Sequence, residues 1–250
     1  MKAAEEYVDQ LVHVETVARK PAVTRPYPAF LSPAVTKGLS AAGIPALFSH
    51  QVEGLEAVRR GDPAVIVATS TSSGKSLVYT LPIAEALLRG DRSARQLLIF
   101  PTKALAHDQL AKLKAMLSPA VCPGVKIATM DGDTPFAARK ALMADSHLIL
   151  TNPDMLHLTI LPKHKEYAAL LRQLRFVVVD EAHMYVPLSA RVGVTVLNSL
   201  ALIHPGWNQV PRRLRLARGG DLSEAAAGVL ALRGGAAVHR SVDTRCPTQI

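Results

Sequence analysis

From Ala64 onward the sequence repeats one pattern: a short apolar run, a polar turn, then a stretch with apolar residues spaced three and four apart. Ala64–Ala68 precedes helical spacing through Leu77, Leu81, Ala84 and Leu88. Leu97–Phe100 precedes Leu105, Leu110, Leu113 and Leu117, and Val125–Met130 precedes Phe136–Met143. His147–Thr151 leads into Met155–Leu161, and Arg175–Asp180 is the most strand-like segment of all. Strands apolar on both sides must be covered on both faces, and strands separated by amphipathic helices join in parallel through right-handed crossovers. The predicted fold is therefore α/β, a parallel sheet with helices on both faces. Such a sheet gathers its strand-to-helix loops along one edge, where ligands bind.

Other classes are excluded by what the chain lacks. Two cysteines, Cys122 and Cys246, make neither a disulfide framework nor a four-cysteine zinc site. No apolar run approaches the roughly 18 residues of a membrane span. The N-terminal MKAAEEYVDQL fits neither a signal nor a transit peptide, so the expected location is intracellular, and nuclear in a eukaryote. The formal charge of +9, from 29 Lys and Arg against 20 Asp and Glu, suits a polyanionic partner.

Composition also divides the chain. Residues 1–45 are punctuated by Pro21, Pro26, Pro28, Pro33 and Pro45, and read as an N-terminal extension with one helix near Ala3–Ala18. Residues 46–185 hold the regular βα units. Residues 186–250 are rich in Arg, Gly and Ala, contain no lysine, and offer one helical stretch, Ser189–Ile203, but no strand pattern. That tail is expected to be poorly ordered.

Between the first regular strand and its helix stands Thr69-Ser70-Thr71-Ser72-Ser73-Gly74-Lys75-Ser76. A loop in this position can aim successive backbone N–H groups, and the helix N-terminus, at a polyphosphate. Thr71, Ser72, Ser73 and Gly74 would line it, Lys75 would reach the β and γ phosphates, and the Ser76 hydroxyl would ligate Mg²⁺. Thr69 stands where such loops usually begin with glycine. Asp180-Glu181-Ala182-His183 follows the apolar strand Phe176–Val179. A carboxylate there can hold Mg²⁺ (Asp180), and the next can orient and deprotonate an attacking water (Glu181). The two elements are expected on neighbouring strand tips.

Together these residues resemble a superfamily-two helicase of the DExH type. Phe48-Ser49-His50-Gln51 resembles the Q motif, in which the glutamine amide pairs with adenine N6 and N7. Pro101–Gln109 (PTKALAHDQ) resembles motif Ia, with His107 replacing a glutamine. Asp131–Pro135 (DGDTP) and Thr151–His157 (TNPDMLH) resemble the next two strand-end motifs. The set is most similar to the RecQ-related DNA-repair helicases, which are three-prime-to-five-prime translocases, over about residues 5–185. The resemblance implies a RecA-like ATP-binding domain using ATP and Mg²⁺, with single-stranded or tailed DNA as partner and RNA as the alternative. It also implies a strand-binding track of Thr102, Lys103, Gly132, Thr134, Thr151 and Asn152. Thr134-Pro135 and Asn152-Pro153 both read as an N-cap followed by proline at the first helical position, with N–H groups left for phosphates.

The resemblance further implies a second RecA-like domain carrying arginine fingers, and a Ser-Ala-Thr element on the next strand. Ser189-Ala190-Arg191 lies too near His183 to supply the latter. The expectation is a truncated or frame-altered chain, incomplete on its C-terminal side, with little unwinding activity alone. Two alternatives stay open: a non-catalytic module that binds single strands, and a DEAD-type RNA helicase domain.

Overall fold

The computed structural model describes residues 22–62, 64–69, 73–90, 93–119, 121–181 and 184, and the backbone of 228–233. The predicted helices at Ala3–Ala18 and Ser189–Ile203, and the loop residues Thr71 and Ser72, lie outside these residues. A small antiparallel pair, β1 (Thr24–Arg25) and β2 (Leu47–Phe48), brackets α1 (Pro33–Ala41) and is followed by α2 (Ser49–Arg60). The main elements then run β3 (Ala64–Ala68), α3 (Ser76–Leu88), β4 (Arg95–Ile99), α4 (Lys103–Met116), β5 (Ile127–Met130) and α5 (Phe136–Asp145). They continue as β6 (Leu148–Thr151), α6 (Pro153–Met155), a wide helical turn at Leu156–Ile160, α7 (Ala168–Arg172), β7 (Leu174–Val179) and β8 (Gly228–Arg233).

The large sheet has the order β3-β8-β7-β4-β6-β5. Strands β7, β4, β6 and β5 are mutually parallel, as predicted from their apolar runs. Successive side chains on one strand face opposite layers, and the packing follows this rule. Leu98, Leu148, Leu150, Phe176 and Val178 join the core under α1 to α4, while Leu97, Ile99, Ile149, Val177 and Val179 join the one under α5 to α7. Gly54 brings α2 close to α3, since a Cβ there would lie 2.6 Å from a Val78 methyl.

Three expectations are corrected. The tail is not without strands: β8 lies in it, antiparallel to both β3 and β7. As a result β3 and β7 are separated by one strand and are not neighbours. The stretch before residue 46 is no mere extension, because Leu31, Val35 and Leu39 are buried in the core beneath α1. Ser32 caps α1, Pro33 occupies its first turn, and the Ser32 N–H donates to Glu85 on α3 at 2.6 Å. Proline punctuation here marks a helix start, not a linker. Among the described residues no helix is long and apolar enough to cross a membrane.

If α1 belongs to this core, Leu39→Ala lowers unfolding stability by about 2–3 kcal/mol. Urea denaturation measures this directly; an unchanged midpoint would detach α1 from the domain.

Candidate functional site

Parallel register puts the strand tips level. Ile99 pairs with both Thr151 and Val179, and Met130 with Thr151. Two bonds continue the ladder beyond the tips: Phe100 N–H donates to Thr151 O and Asp180 N–H to Ile99 O, each 2.9 Å. One edge therefore carries, in sheet order, the phosphate loop after β3, Asp180 after β7, Thr102 and Lys103 after β4, Asn152 after β6, and Gly132 and Thr134 after β5.

Lys75 is only 7% exposed, and its ammonium donates to the Thr69 carbonyl at 3.1 Å across the loop. The Thr69 hydroxyl meets the Ser73 hydroxyl at 2.6 Å, so the residue standing in place of glycine ties the loop closed. Gly74 takes φ +74°, where a Cβ would come within 2.5 Å of the Gln51 amide nitrogen. Both the conformation and the contact call for glycine. Burial pushes the Lys75 ammonium below its ordinary value, and Glu181 and Asp180 push it back up. That mutual influence shows the loop and the two carboxylates sharing one electrostatic neighbourhood, although a strand intervenes.

Tyr79 makes the bridge. One helical turn beyond Lys75, it donates its hydroxyl to Asp180 Oδ2 at 3.3 Å. Burial, then Asp180, raise the Tyr79 hydroxyl well above the usual phenol range, so it stays a donor. Burial also raises the Asp180 carboxyl, partly offset by the Glu181 N–H, which donates to it at 2.9 Å. Glu181 itself has φ +50°, a left-handed backbone that a non-glycine side chain holds only under constraint. Ser76 begins α3 beside Lys75. Among the described residues no three His, Cys, Asp or Glu side chains gather as a metal cage. Ser76 and Asp180 bring a hydroxyl and a carboxylate, oxygen donors of the kind Mg²⁺ takes together with phosphates and water.

Behind the loop, Gln51 is almost wholly buried. Its carbonyl accepts from Phe48 N–H at 2.8 Å and its amide donates to Gly74 O at 2.9 Å. His50 bonds to Ser73 O at 3.1 Å and stacks on Phe48. Burial lowers its imidazole below the ordinary histidine value, against the opposing pull of the Ser73 carbonyl. His50 and Tyr79 were not assigned from sequence. The i, i+4 spacing of Lys75 and Tyr79 was the available signal for the latter.

The expected nucleic-acid residues divide. Asn152 caps α6 as read, accepting from Met155 N–H at 2.8 Å with Pro153 next. Thr102 caps α4, accepting from Leu105 N–H at 3.2 Å. Thr134 does not cap α5: its hydroxyl turns back to accept from Asp131 N–H at 3.1 Å, and Pro135 takes the cap position. Thr151 leaves the track altogether, being 1% exposed with its hydroxyl donated to Met130 O at 2.8 Å. Lys103 is exposed but already paired, 2.8 Å from Asp133. That bond raises its ammonium above the usual value. Gly132 lies beside this pair, where a Cβ would only touch the Lys103 amine at an ordinary 3.5 Å. Burial raises the Asp131 carboxyl, but the Asp133 N–H, His107 and Lys103 outweigh it and hold it below the usual range.

This edge, with a buried lysine after β3 and an aspartate two strand positions away after β7, is the arrangement expected of a nucleotide-binding α/β domain. The profile of DEAD/DEAH box helicases matches residues 48–205, and the chain belongs to that family. It is 36% identical over 177 residues to the uncharacterized ATP-dependent helicase YprA of Bacillus subtilis, covering 71% of this chain and 23% of YprA. It is 38% identical over 208 residues to the ATP-dependent helicase HRQ1 of Saccharomyces cerevisiae, covering 82% of this chain and 19% of HRQ1. The crystal structure of the DUF1998 helicase MrfA bound to DNA and AMPPNP aligns with TM-score 0.67 and 33% identity, over 88% of this chain and 30% of MrfA. The chain thus spans about a quarter or less of the length of these two curated relatives.

Because Asp180 ionises at a cost in the folded protein, Asp180→Asn should raise the melting temperature of the nucleotide-free chain. The sign follows from linkage. A carboxyl raised in the folded state gives stability that is lost as pH rises from about 4. The advantage of the variant therefore grows from acid pH to pH 7.5, as thermal denaturation would show; an advantage independent of pH would contradict it.

Proposed function

We propose that this chain is the ATP-binding domain of a DNA helicase, binding Mg²⁺-ATP at the β3 and β7 tips and single-stranded DNA across the β4, β6 and β5 tips. The observation that carries the reading is the Lys75–Tyr79–Asp180 cluster, which links the phosphate loop to the acidic strand tip through one helix. Lys75 would exchange the Thr69 carbonyl for the β and γ phosphates. Ser76 and Asp180 would hold Mg²⁺, which supplies charge neutralisation on the phosphates. Glu181 would orient and deprotonate the attacking water.

Gln51 supports nucleotide binding mainly through the loop. Its amide still has one N–H and one carbonyl lone pair to offer adenine. Thr102, Lys103, Gly132, Thr134 and Asn152 form the strand track, with Thr134 acting through the turn it closes on Asp131. DNA is favoured over RNA by the similarity to MrfA, whose structure holds DNA. A DNA motor of this kind works inside the cell, and in the nucleus of a eukaryote.

Two measurements test the reading. In a titration with a fluorescent ATP analogue and Mg²⁺, Lys75→Ala weakens binding at least about tenfold, more than 1.4 kcal/mol; equal affinity would remove the phosphate-loop assignment. In a single-strand oligonucleotide titration, Asp133→Asn releases Lys103 and tightens binding about two- to threefold, the modest scale of an exposed ion pair. Weaker binding by this variant would take Lys103 out of the track.

A further inference from the structure

Four large apolar side chains stand exposed among the described residues: Val23, Phe136, Leu158 and Met184. A lone exposed apolar residue needs no explanation, but Phe136 has a particular setting. It opens α5 directly after the Asp131–Pro135 turn at the β5 tip, and is 67% exposed. The Lys163 amine, delivered from the turn between the Leu156–Ile160 helical turn and α7, lies over its ring at 4.6 Å from the centroid. Arg139, one turn further along α5, fixes the preceding loop by donating to Thr134 O at 2.9 Å and lies 3.5 Å from Gly132 O. Residues 136–140 and 161–167 together carry four cations, Arg139, Lys140, Lys163 and Lys165, against one carboxylate, Glu166.

We propose that Phe136, with Lys163 stacked on it, is a base-stacking platform for single-stranded nucleic acid at the outer, β5 end of the strand track. The inference rests on the strand-binding reading above and deepens it. That track offers backbone N–H groups, hydroxyls, the Asn152 amide and Lys103, groups suited to phosphate, and no aromatic face. An aromatic face beside a group of cations supplies the missing half, since a ring takes any base by stacking while the cations take the adjoining phosphates. Lys163 over the ring holds it in place and offers a charge to the strand. The substrate class is accordingly a single strand with accessible bases, and a paired duplex, whose bases stack on one another, would not engage the ring.

The experiment uses the whole chain and two oligonucleotides of equal length, an oligo(dT) strand and an abasic strand with the same phosphates. Phe136→Ala should lose at least about fivefold in affinity for oligo(dT), the low end of a single base–aromatic stack, with no change for the abasic strand. Phe136→Trp should retain oligo(dT) binding, with its fluorescence quenched by the bound strand. Equal losses on both strands, or no loss on either, would overturn the platform while leaving the track intact. If the unmodified chain bound neither strand, the strand-binding reading itself would fall, and the platform with it. Phe136 is on the surface, so its replacement leaves the melting temperature unchanged; a lowered one would mark a packing role and count against the proposal.

Discussion

A buried ammonium organises this domain. Lys75 sits in a low-dielectric pocket where an unpaired charge is costly, yet the Thr69 carbonyl receives it and Asp180 and Glu181 stand within electrostatic reach. Each of these groups is disfavoured by its own burial: Lys75 is pushed toward losing its proton, Asp180 toward gaining one. Tyr79 and the Glu181 N–H relieve part of the cost on the aspartate. A metal-bound triphosphate would relieve the rest, because it brings a cation to the carboxylate and anionic oxygens to the lysine. The loop geometry around this pair follows from the same need. The His50–Ser73 and Gln51–Gly74 bonds hold the described end of the loop against α2, and the Thr69–Ser73 bond joins its two ends.

Sheet order separates two chemistries along one edge. In the reading proposed here, the nucleotide would sit at the β3 and β7 tips and a nucleic-acid strand at the β4, β6 and β5 tips. The His107–Asp131 bond at 3.2 Å and the Lys103–Asp133 pair join the start of α4 to the β5 tip. Adjacent strands lie about 4.8 Å apart. The β8 strand therefore places the phosphate loop and Asp180 on tips separated by roughly 10 Å. A side chain the length of Tyr79, rising from α3, is what such a gap requires.

Much of this was legible in the sequence, for identifiable reasons. The runs Leu97–Phe100, His147–Thr151 and Phe176–Val179 are apolar on both faces, and all became central parallel strands. Asn152-Pro153 capped as spelled, because asparagine followed by proline leaves few other conformations. The nearly identical cue Thr134-Pro135 failed because Asp131 offered the threonine hydroxyl a closer partner within its own turn. Thr151 entered the track through the motif resemblance alone, although it already closed an apolar run, and as the last residue of β6 its side chain is buried. Helices α1 and α2 went unread: prolines mask the start of one, and α2 spends His50 and Gln51, polar residues, on its buried side. Strand β8 went unread because its apolar run, Val229–Leu232, is short and set in Arg-, Gly- and Ala-rich text, and it becomes a strand by pairing with β3 and β7.

The central claim is that one divalent ion is shared between a bound triphosphate and Asp180. Paramagnetic resonance of Mn²⁺, titrated into the chain with a non-hydrolysable ATP analogue, tests this most directly. The account predicts phosphorus hyperfine coupling on a protein-bound Mn²⁺, and at least about tenfold weaker ion binding when Asp180 becomes asparagine. Metal-free analogue affinity would not fall in that variant. An ion held equally well with and without the carboxylate, or one with no phosphorus coupling, would contradict the account.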